Sequence, residues 1–318
     1  MDHWQQKILD DAIDFYSLQQ EIWSYQYAHN PIIHTFADAL SWPPPISIPI
    51  EFFKRHLMKT KEWEAEAIFE SSGTTGQTPS RHHVRDLELY EKNTLKGFFE
   101  FFPQKKYRVL ALLPSYLERG SSSLVHMVKT WMDHFGLPGS GFYLYNFDEL
   151  RQAIAEAGEA GEHILLIGVT FALLDFVEEQ SITLPPDTFV IETGGMKGRK
   201  KEMVRSELHR ILTQGLGIPH IYSEYGMTEM MSQAYLMEDG RFRPASTLKA
   251  WTSDIHLDTL VQPFGVTGRL HIVDLANVHS CAFIATDDLG KVYEDGSFEV
   301  LGRLDTSEMR GCNLMYLS

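Results

Sequence analysis

The chain has 318 residues, of which 43% are hydrophobic, so it can bury a large core in one big domain or two. Its two cysteines make a disulfide scaffold implausible and suit a reducing compartment, and a net charge of −15 argues against nucleic acid or an anionic membrane as the main partner. No N-terminal signal core is present, and no apolar run approaches the roughly 18 residues of a membrane span. We therefore expect a soluble, cytoplasmic protein.

Residues 1–40 repeat apolar side chains at helical spacing, for example at Ile8, Ala12 and Phe15. Three prolines at 43–45 interrupt this pattern, and an extended segment and one further short helix follow. The sequence thus predicts an N-terminal helical layer that covers a sheet formed by the later residues.

Residues 70–80 read Glu-Ser-Ser-Gly-Thr-Thr-Gly-Gln-Thr-Pro-Ser and connect a predicted strand at 63–69 to a helix that begins near residue 86. Gly73 and Gly76 permit positive φ and close approach to an anion, which successive N–H groups can cradle. Hydroxyl groups supply further donors at Ser71, Ser72, Thr74 and Thr75. The second glycine comes too early for a nucleoside-triphosphatase P-loop. By itself the stretch is equally compatible with a polar surface turn.

From residue 63 onward, predicted strands and helices alternate, which indicates an α/β fold with a largely parallel sheet. The predicted strands are Arg108–Leu113, Gly141–Tyr145, His163–Val169, Thr188–Glu192 and one near 220–222, and the helices are 86–101, 121–135, 148–159, 170–179 and 198–214. Ligands of such sheets bind at the carboxyl ends of the strands. The loops 114–119, 193–198 and 224–229 are therefore expected at one edge.

After about residue 245 the pattern changes to short alternating runs separated by Gly and Asp. These runs are Gly268–Val273, Cys281–Thr286, Lys291–Tyr293 and Ser297–Leu301. They predict a small antiparallel β-subdomain at 245–318, after a helical cap and α/β core at 1–244.

Two further stretches are Tyr-Ser-Glu-Tyr-Gly-Met-Thr-Glu at 222–229 and Leu-Gly-Arg-Leu-Asp at 301–305. With the loop at 70–80, in this order and spacing, they resemble the adenylate-forming superfamily of acyl-CoA synthetases, luciferases and peptide-synthetase adenylation domains. Residues 113–124 and 302–314 resemble in particular the bioluminescence acyl-protein synthetases of the LuxE type, which are fatty acid–protein ligases. The resemblance runs from about residue 45 to the C-terminus. It implies the large N-terminal domain of the acyl-adenylate-forming fold, with layered α/β sheets and a small β-subdomain.

The resemblance implies an enzyme that uses ATP and Mg²⁺ to convert a carboxylic acid, expected to be a fatty acid, into an acyl-adenylate. The carboxylate oxygen attacks the α-phosphorus and expels pyrophosphate, so the protein mainly positions three anions and stabilises their charge. The loop at 71–76 would hold the β- and γ-phosphates. Many members have Pro-Lys after the second glycine, where this chain has Thr78-Pro79-Ser80-Arg81. Either Arg81 supplies this charge, or the loop binds pyrophosphate less tightly.

The motif at 225–229 matches the adenine and metal motif of the superfamily. Tyr225 would stack on the base, Gly226 would allow close approach, and Thr228 would donate to the α-phosphate, with Met227 as a further nucleotide-binding residue of the motif. Glu229 would be an oxygen ligand of Mg²⁺. The alternative for this segment is an ordinary capped helix start.

Three other segments match nucleotide-binding positions of the superfamily. Gly194 and Gly195 resemble the loop on the other face of adenine. Asp288 matches the acidic residue that binds the ribose hydroxyls, with Asp287 as the alternative one residue away. Arg303 matches the arginine that reaches ribose or phosphate. The alternative is a hairpin turn for the two aspartates and a surface ion pair for the arginine.

In the loop at 114–122, Tyr116 and Arg119 are predicted neighbours of the acyl carboxylate. Many acyl-CoA synthetases have a histidine where this chain has Leu117. Acyl-protein synthetases end with a tail similar to residues 309–314, which implies that Cys312 accepts the acyl group from AMP, with Arg310 lowering its pKa. The alternative for Cys312 is a small buried residue. Cys281 lies in an apolar run and is predicted to be structural.

In most of the superfamily, Gly-Arg-x-Asp leads into a mobile C-terminal domain with a catalytic lysine. This chain ends thirteen residues after Asp305, so we expect no such lid. The leading hypothesis is acyl activation, self-acylation of Cys312 and delivery to a partner such as a reductase or an acyl carrier protein. One alternative is transfer to an external thiol of CoA or a carrier protein. Another is a degenerate nucleotide-binding subunit without catalysis.

Overall fold

A computed structural model describes residues 3–40, 45–71, 78–114, 121–180, 182–194 and 203–304 of the chain. The N-terminal region is helical, as predicted, and its helices are His3–Ile8, Phe15–His29, Pro31–Leu40 and the short Phe52–Arg55. The second of these helices begins where the Asp14 side chain accepts a hydrogen bond from the Ser17 backbone N–H (3.2 Å). Trp23, on the same helix, packs its ring edge-on against Phe283 of the sheet at 5.2 Å between centroids. The helices therefore cover part of the sheet.

The described strands are β1 Ile48–Pro49, β2 Ala67–Glu70, β3 Arg81–Val84, β4 Arg108–Leu112, β5 Gly141–Tyr143, β6 Ile164–Val169, β7 Phe189–Thr193, β8 Tyr222–Tyr225, β9 Ala234–Leu236, β10 Phe242–Pro244, β11 Leu248–Ser253, β12 Gly268–Asp274, β13 Phe283–Val292 and β14 Phe298–Arg303. Twelve of them form one sheet in the order β11-β12-β13-β14-β10-β9-β8-β7-β6-β4-β5, with β1 paired to β13. β2 and β3 form a separate hairpin.

The first half of the large sheet, β5-β4-β6-β7-β8, is parallel throughout. β6 reads Ile-Leu-Leu-Ile-Gly-Val and every residue in it is buried, as expected for a strand covered on both faces. The remaining described helices are Leu87–Phe99, Ser123–Phe135, Phe147–Glu159, Thr170–Glu179 and Arg205–Leu216. The predicted α/β fold with a parallel sheet is confirmed, and the carboxyl ends of β4, β7 and β8 share one edge.

The other strands follow β8 in the sheet order β9-β10-β14-β13-β12-β11. Each of these pairs is antiparallel, and the strands continue the same sheet. The two strands predicted at 281–286 and 291–293 are one ten-residue strand, β13. The aspartates that suggested a turn lie within it, because Asp288 pairs with Arg303 of β14 and the register shifts only at Leu289 and Gly290. The boundary between 244 and 245 stays a prediction, since the strands on its two sides belong to a continuous sheet.

Within the described residues, no helix combines the length and the apolar character that crossing a membrane requires.

Candidate nucleotide site

The candidate site begins where β8 ends, on the edge formed by the carboxyl ends of the parallel strands. Tyr225 is the last residue of β8, and the chain turns at Gly226, where a Cβ atom would overlap the Glu224 carboxylate. Met227 accepts a hydrogen bond through its carbonyl from the Met230 N–H (3.0 Å), which closes the turn. Only glycine fits at position 226 without displacing the glutamate beneath it.

Tyr225, Asp288 and Arg303 are in direct contact. The Tyr225 hydroxyl donates to Asp288 Oδ2 (2.9 Å), and Arg303 Nε lies 3.5 Å from Asp288 Oδ1. Asp288 is buried, whereas the Arg303 side chain is 81% exposed, so the guanidinium points outward over the carboxylate. Burial raises the pKa of Asp288, although Arg303 and Tyr225 oppose this effect. The Asp288 carboxylate thus accepts a hydrogen bond from Tyr225 and has the exposed Arg303 cation beside it. This arrangement suits a ligand that carries both hydroxyl groups and negative charge.

The geometry distinguishes the two neighbouring aspartates. Asp287 lies on the opposite face of β13, where its Oδ1 is 3.5 Å from Arg269 of β12. Asp288 alone of the two contacts Tyr225 and Arg303. Contact of Asp288 with ribose stays a prediction.

The Tyr225 ring itself packs against Phe242 and Phe298, with centroids 5.7 and 5.5 Å away. Only 9% of the residue is exposed. The small exposed fraction limits how much of the ring a base could contact, so stacking of adenine on Tyr225 stays a prediction.

Thr228 and Glu229 are the two central residues of this turn, and their backbone carbonyls are held by neighbouring side chains. His82 Nδ1 lies 2.9 Å from the Thr228 carbonyl oxygen, and Asn277 Nδ2 donates to the Glu229 carbonyl at 2.6 Å. Glu229 is buried, and burial raises the pKa of its carboxyl group, while the Ser80 hydroxyl partly offsets the rise. A buried carboxylate is a ligand type that Mg²⁺ accepts.

Mg²⁺ at nucleotide sites is usually bound by one or two carboxylates together with phosphates and water. The described residues include no cluster of three or more His, Cys, Asp or Glu side chains suited to a metal ion. Glu229 therefore suits a Mg²⁺ ion that is held mainly by a nucleotide. It does not suit an ion bound by protein ligands alone.

The phosphate loop begins at the hairpin of β2 and β3. Ser71 N donates to the Ser80 carbonyl (3.1 Å), and Ser80 N donates to Ser71 Oγ (2.8 Å), so these two residues close the base of the loop. Arg81, a candidate for the phosphate charge, donates from Nε to Glu70 Oε1 at 2.9 Å. Residues 72–77 of the loop lie outside the described part of the chain.

Gly194 follows β7 directly and has φ of 81°, a backbone conformation that favours glycine. It lies at the same edge as Gly226, because β7 and β8 are parallel neighbours. The other predicted site residues fall outside the described residues: Ser72, Gly73, Thr74, Thr75, Gly76, Tyr116, Arg119, Gly195 and Cys312. Their roles stay predictions. Cys281 is buried, and burial raises the pKa of its thiol to about 12, as suits a structural cysteine.

Three polar residues of the site received no individual role in the sequence analysis: His82, Asn277 and Glu224. All three are buried; His82 lies in β3, Glu224 in β8, and Asn277 in a short 3-10 turn after β12. Glu224 accepts a hydrogen bond from the Thr193 hydroxyl of β7. A charged or polar residue at an inward position of a strand is the signal that could have identified His82 and Glu224.

The family described as "Acyl-protein synthetase, LuxE" matches residues 142–317, more than half of the chain. The chain belongs to this acyl-protein synthetase family. Its matched region includes Tyr225, Glu229, Asp288 and Arg303. No curated protein matches the chain.

Solved structures with a similar fold are adenylate-forming enzymes. ATP-bound MatB from Rhodopseudomonas palustris is 18% identical, with a TM-score of 0.54 over 77% of this chain and 49% of MatB. O-succinylbenzoate CoA synthetase (MenE) from Bacillus subtilis, in complex with ATP and magnesium ion, is 16% identical, with a TM-score of 0.54 over 76% of this chain and 51% of MenE. At such identities the likeness shows the fold, which is the predicted adenylate-forming one. The chain spans about half the length of these structures.

Proposed function

We propose that this acyl-protein synthetase family member activates a carboxylic acid with ATP and Mg²⁺ as an acyl-adenylate. The observation that carries the proposal is the buried Asp288 carboxylate between Tyr225 and the exposed Arg303, near the turn that presents Thr228 and Glu229. Membership of the family and the ATP complexes of the similar structures support it.

In this mechanism the carboxylate oxygen of the acid bonds to the α-phosphorus of ATP while the bond to the bridging oxygen breaks and pyrophosphate leaves with that electron pair. Asp288 accepts from the ribose hydroxyls, and Arg303 offsets negative charge on the phosphates. Thr228 donates to the α-phosphate. Glu229 would hold Mg²⁺, which when bound neutralises charge on the phosphates.

We further propose that the acid is a fatty acid and that its acyl group passes from AMP to the Cys312 thiolate. The thiolate sulfur bonds to the carbonyl carbon and AMP leaves with its phosphate oxygen, which gives a thioester. A reductase or an acyl carrier protein would then receive the acyl group. The similar tail of acyl-protein synthetases supports this step.

The first test is carboxylate-dependent exchange of labelled pyrophosphate into ATP, screened over fatty and aryl acids. Wild-type exchange with at least one acid is expected. Asp288→Ala should raise the KM for ATP roughly 10- to 100-fold, because a hydrogen bond to a charged group contributes about 1.5–3 kcal/mol. Asp287→Ala, which removes only the pair with Arg269, should leave that KM nearly unchanged.

The second test is intact-mass analysis after incubation with ATP and the acid. A gain of one acyl group is expected in wild type and in Cys281→Ala, and it should be absent in Cys312→Ser while exchange continues. Exchange without any mass gain would favour an external thiol acceptor. Binding of ATP without exchange for any acid would contradict the proposed activity and favour a nucleotide-binding subunit.

A further inference from the structure

His82 belongs to the hairpin that bears the phosphate loop, and it contacts the turn that presents Thr228 and Glu229. Among the described strands, β2 and β3 pair only with each other, so no ladder of backbone hydrogen bonds joins this hairpin to the large sheet. Its position relative to the sheet therefore depends on side-chain contacts and on isolated hydrogen bonds. One of these is the bond from Glu70 N to the Ser121 carbonyl (2.9 Å).

The His82 side chain is fully buried and makes a second link. Its Nδ1 lies 2.9 Å from the carbonyl oxygen of Thr228, and because that oxygen carries no hydrogen, Nδ1 must be the donor. The ring also packs edge-on against Phe53 at 5.6 Å. In β3, His82 pairs with Phe69 of β2, so the histidine is fixed in the hairpin on one side and bound to the turn on the other.

Asn277, from the segment before β13, holds the next residue of the turn. Its Nδ2 donates to the Glu229 carbonyl oxygen at 2.6 Å, one residue beyond the Thr228 carbonyl that His82 contacts. The turn is thus held by the hairpin through His82 and by the segment before β13 through Asn277.

We propose that His82 is a positioning residue for adenylation, which fixes the hairpin β2–β3, from which the phosphate loop extends, relative to Thr228 and Glu229. This inference rests on the proposed function. The phosphate loop would bind the β- and γ-phosphates, whereas Thr228 and Glu229 would act at the α-phosphate and Mg²⁺. The distance between these two groups of ligands sets the alignment of the reacting phosphorus, and a displacement of about 1 Å can cost roughly 100-fold in rate.

The test compares His82→Leu with His82→Asn. Leucine fills much of the space but has no donor, whereas the asparagine amide places a donor close to the position of Nδ1. His271→Leu is the matched control. His271, in β12, is also buried, and its Nε2 lies 2.8 Å from Oγ of Ser253 in β11. Thermal unfolding of all three variants measures the general loss of stability.

Two readouts are used: kcat and KM for ATP in pyrophosphate exchange, and binding of ATP with Mg²⁺ by calorimetry. His82→Leu should lower kcat/KM at least tenfold and weaken binding, and His82→Asn should recover most of both. His271→Leu should lose comparable stability with little change in either readout below its unfolding temperature.

Wild-type values in His82→Leu, or equal impairment in His82→Leu and His82→Asn, would overturn the positioning role alone. If the wild-type protein binds ATP but catalyses no exchange, the proposed activity is refuted. Calorimetry then still tests the role of His82, through the effect of His82→Leu on ATP binding. Wild type that binds no ATP would overturn both.

Discussion

Two buried glutamates on neighbouring strands have opposite surroundings. Glu192 of β7 accepts a hydrogen bond from Thr170 (2.7 Å) and has His209 and Arg205 within 3.9 Å, so although burial opposes its ionisation, these partners lower its pKa. Glu224 of β8 has the Thr193 hydroxyl as a partner, and burial raises its pKa to about 7, with the charge of Glu192 adding to the rise. One carboxyl group is thus stabilised as an anion and the other as an acid.

We expect this difference to appear in the pH dependence of stability. Between the ordinary glutamate pKa of 4.5 and about 7, folded Glu224 holds a proton that the unfolded chain has lost. The free energy of unfolding should therefore fall as pH rises through this range and level off above it. Glu224→Gln removes this loss, so urea unfolding should find the variant near wild type at pH 5 and more stable by roughly 1–3 kcal/mol at pH 8.

Glu192→Gln is the control of opposite sign. The pKa of Glu192 is lowered, so its contribution to stability is present above the unfolded value and disappears as pH falls through the folded value. This variant should be less stable than wild type at pH 7, and the difference should shrink in acid. Parallel pH profiles for Glu224→Gln and wild type would contradict the assignment of the raised pKa to Glu224.

At the level of elements, the helix Phe15–His29 supports the floor of the candidate site through Gln26. This buried side chain donates to the carbonyls of Asn277 (3.0 Å) and Val278 (2.9 Å) and accepts from Ala282 N (3.0 Å). Asn277 in turn holds the Glu229 carbonyl. The N-terminal layer, predicted as a cover, thus also fixes the segment that supports the metal-ligand candidate.

Gln26→Leu should lower the free energy of unfolding by about 2–4 kcal/mol, because a buried N–H and buried carbonyls lose their partner. Chemical denaturation monitored by circular dichroism measures the change. Gln20→Leu, at an exposed position of the same helix, should change stability by less than about 0.5 kcal/mol. Equal effects of the two substitutions would exclude a special role for the Gln26 hydrogen bonds.

Elements with a strong local pattern could be predicted from the sequence, whereas those defined by pairing could not. The strands β4–β8 and their helices follow from apolar runs and helical periodicity, with ends shifted by a few residues. The sequence pattern divides β13 because Asp287-Asp288 favours a turn, and pairing with β12 and β14 on its two sides keeps the strand extended. The Asp288–Tyr225 contact was not predicted, since it joins residues 63 positions apart, and the resemblance assigned the two residues only to parts of one nucleotide.

At the scale of the whole molecule, the predicted boundary at 244/245 crosses a continuous sheet. β10 pairs with β9 on one side and with β14 on the other, through Phe242 opposite Leu236 and Phe298. The Phe242 and Phe298 rings stack at 5.4 Å, and Tyr225 contacts both. The β-rich segment and the α/β core therefore share one aromatic cluster, and neither buries these rings without the other.

Chains of this length often unfold in steps, but a shared cluster couples the two segments, so we expect one cooperative transition. Urea unfolding of variants that retain only Trp131 of the core or only Trp251 of β11 should give coincident midpoints. Phe298→Ala should lower both midpoints together, by about 3–5 kcal/mol in free energy, because its ring is fully buried. Leu301→Ala, half exposed on the same strand, should shift neither appreciably. Separate midpoints, with Phe298→Ala moving only the Trp251 signal, would show instead that the two segments are independent folding units.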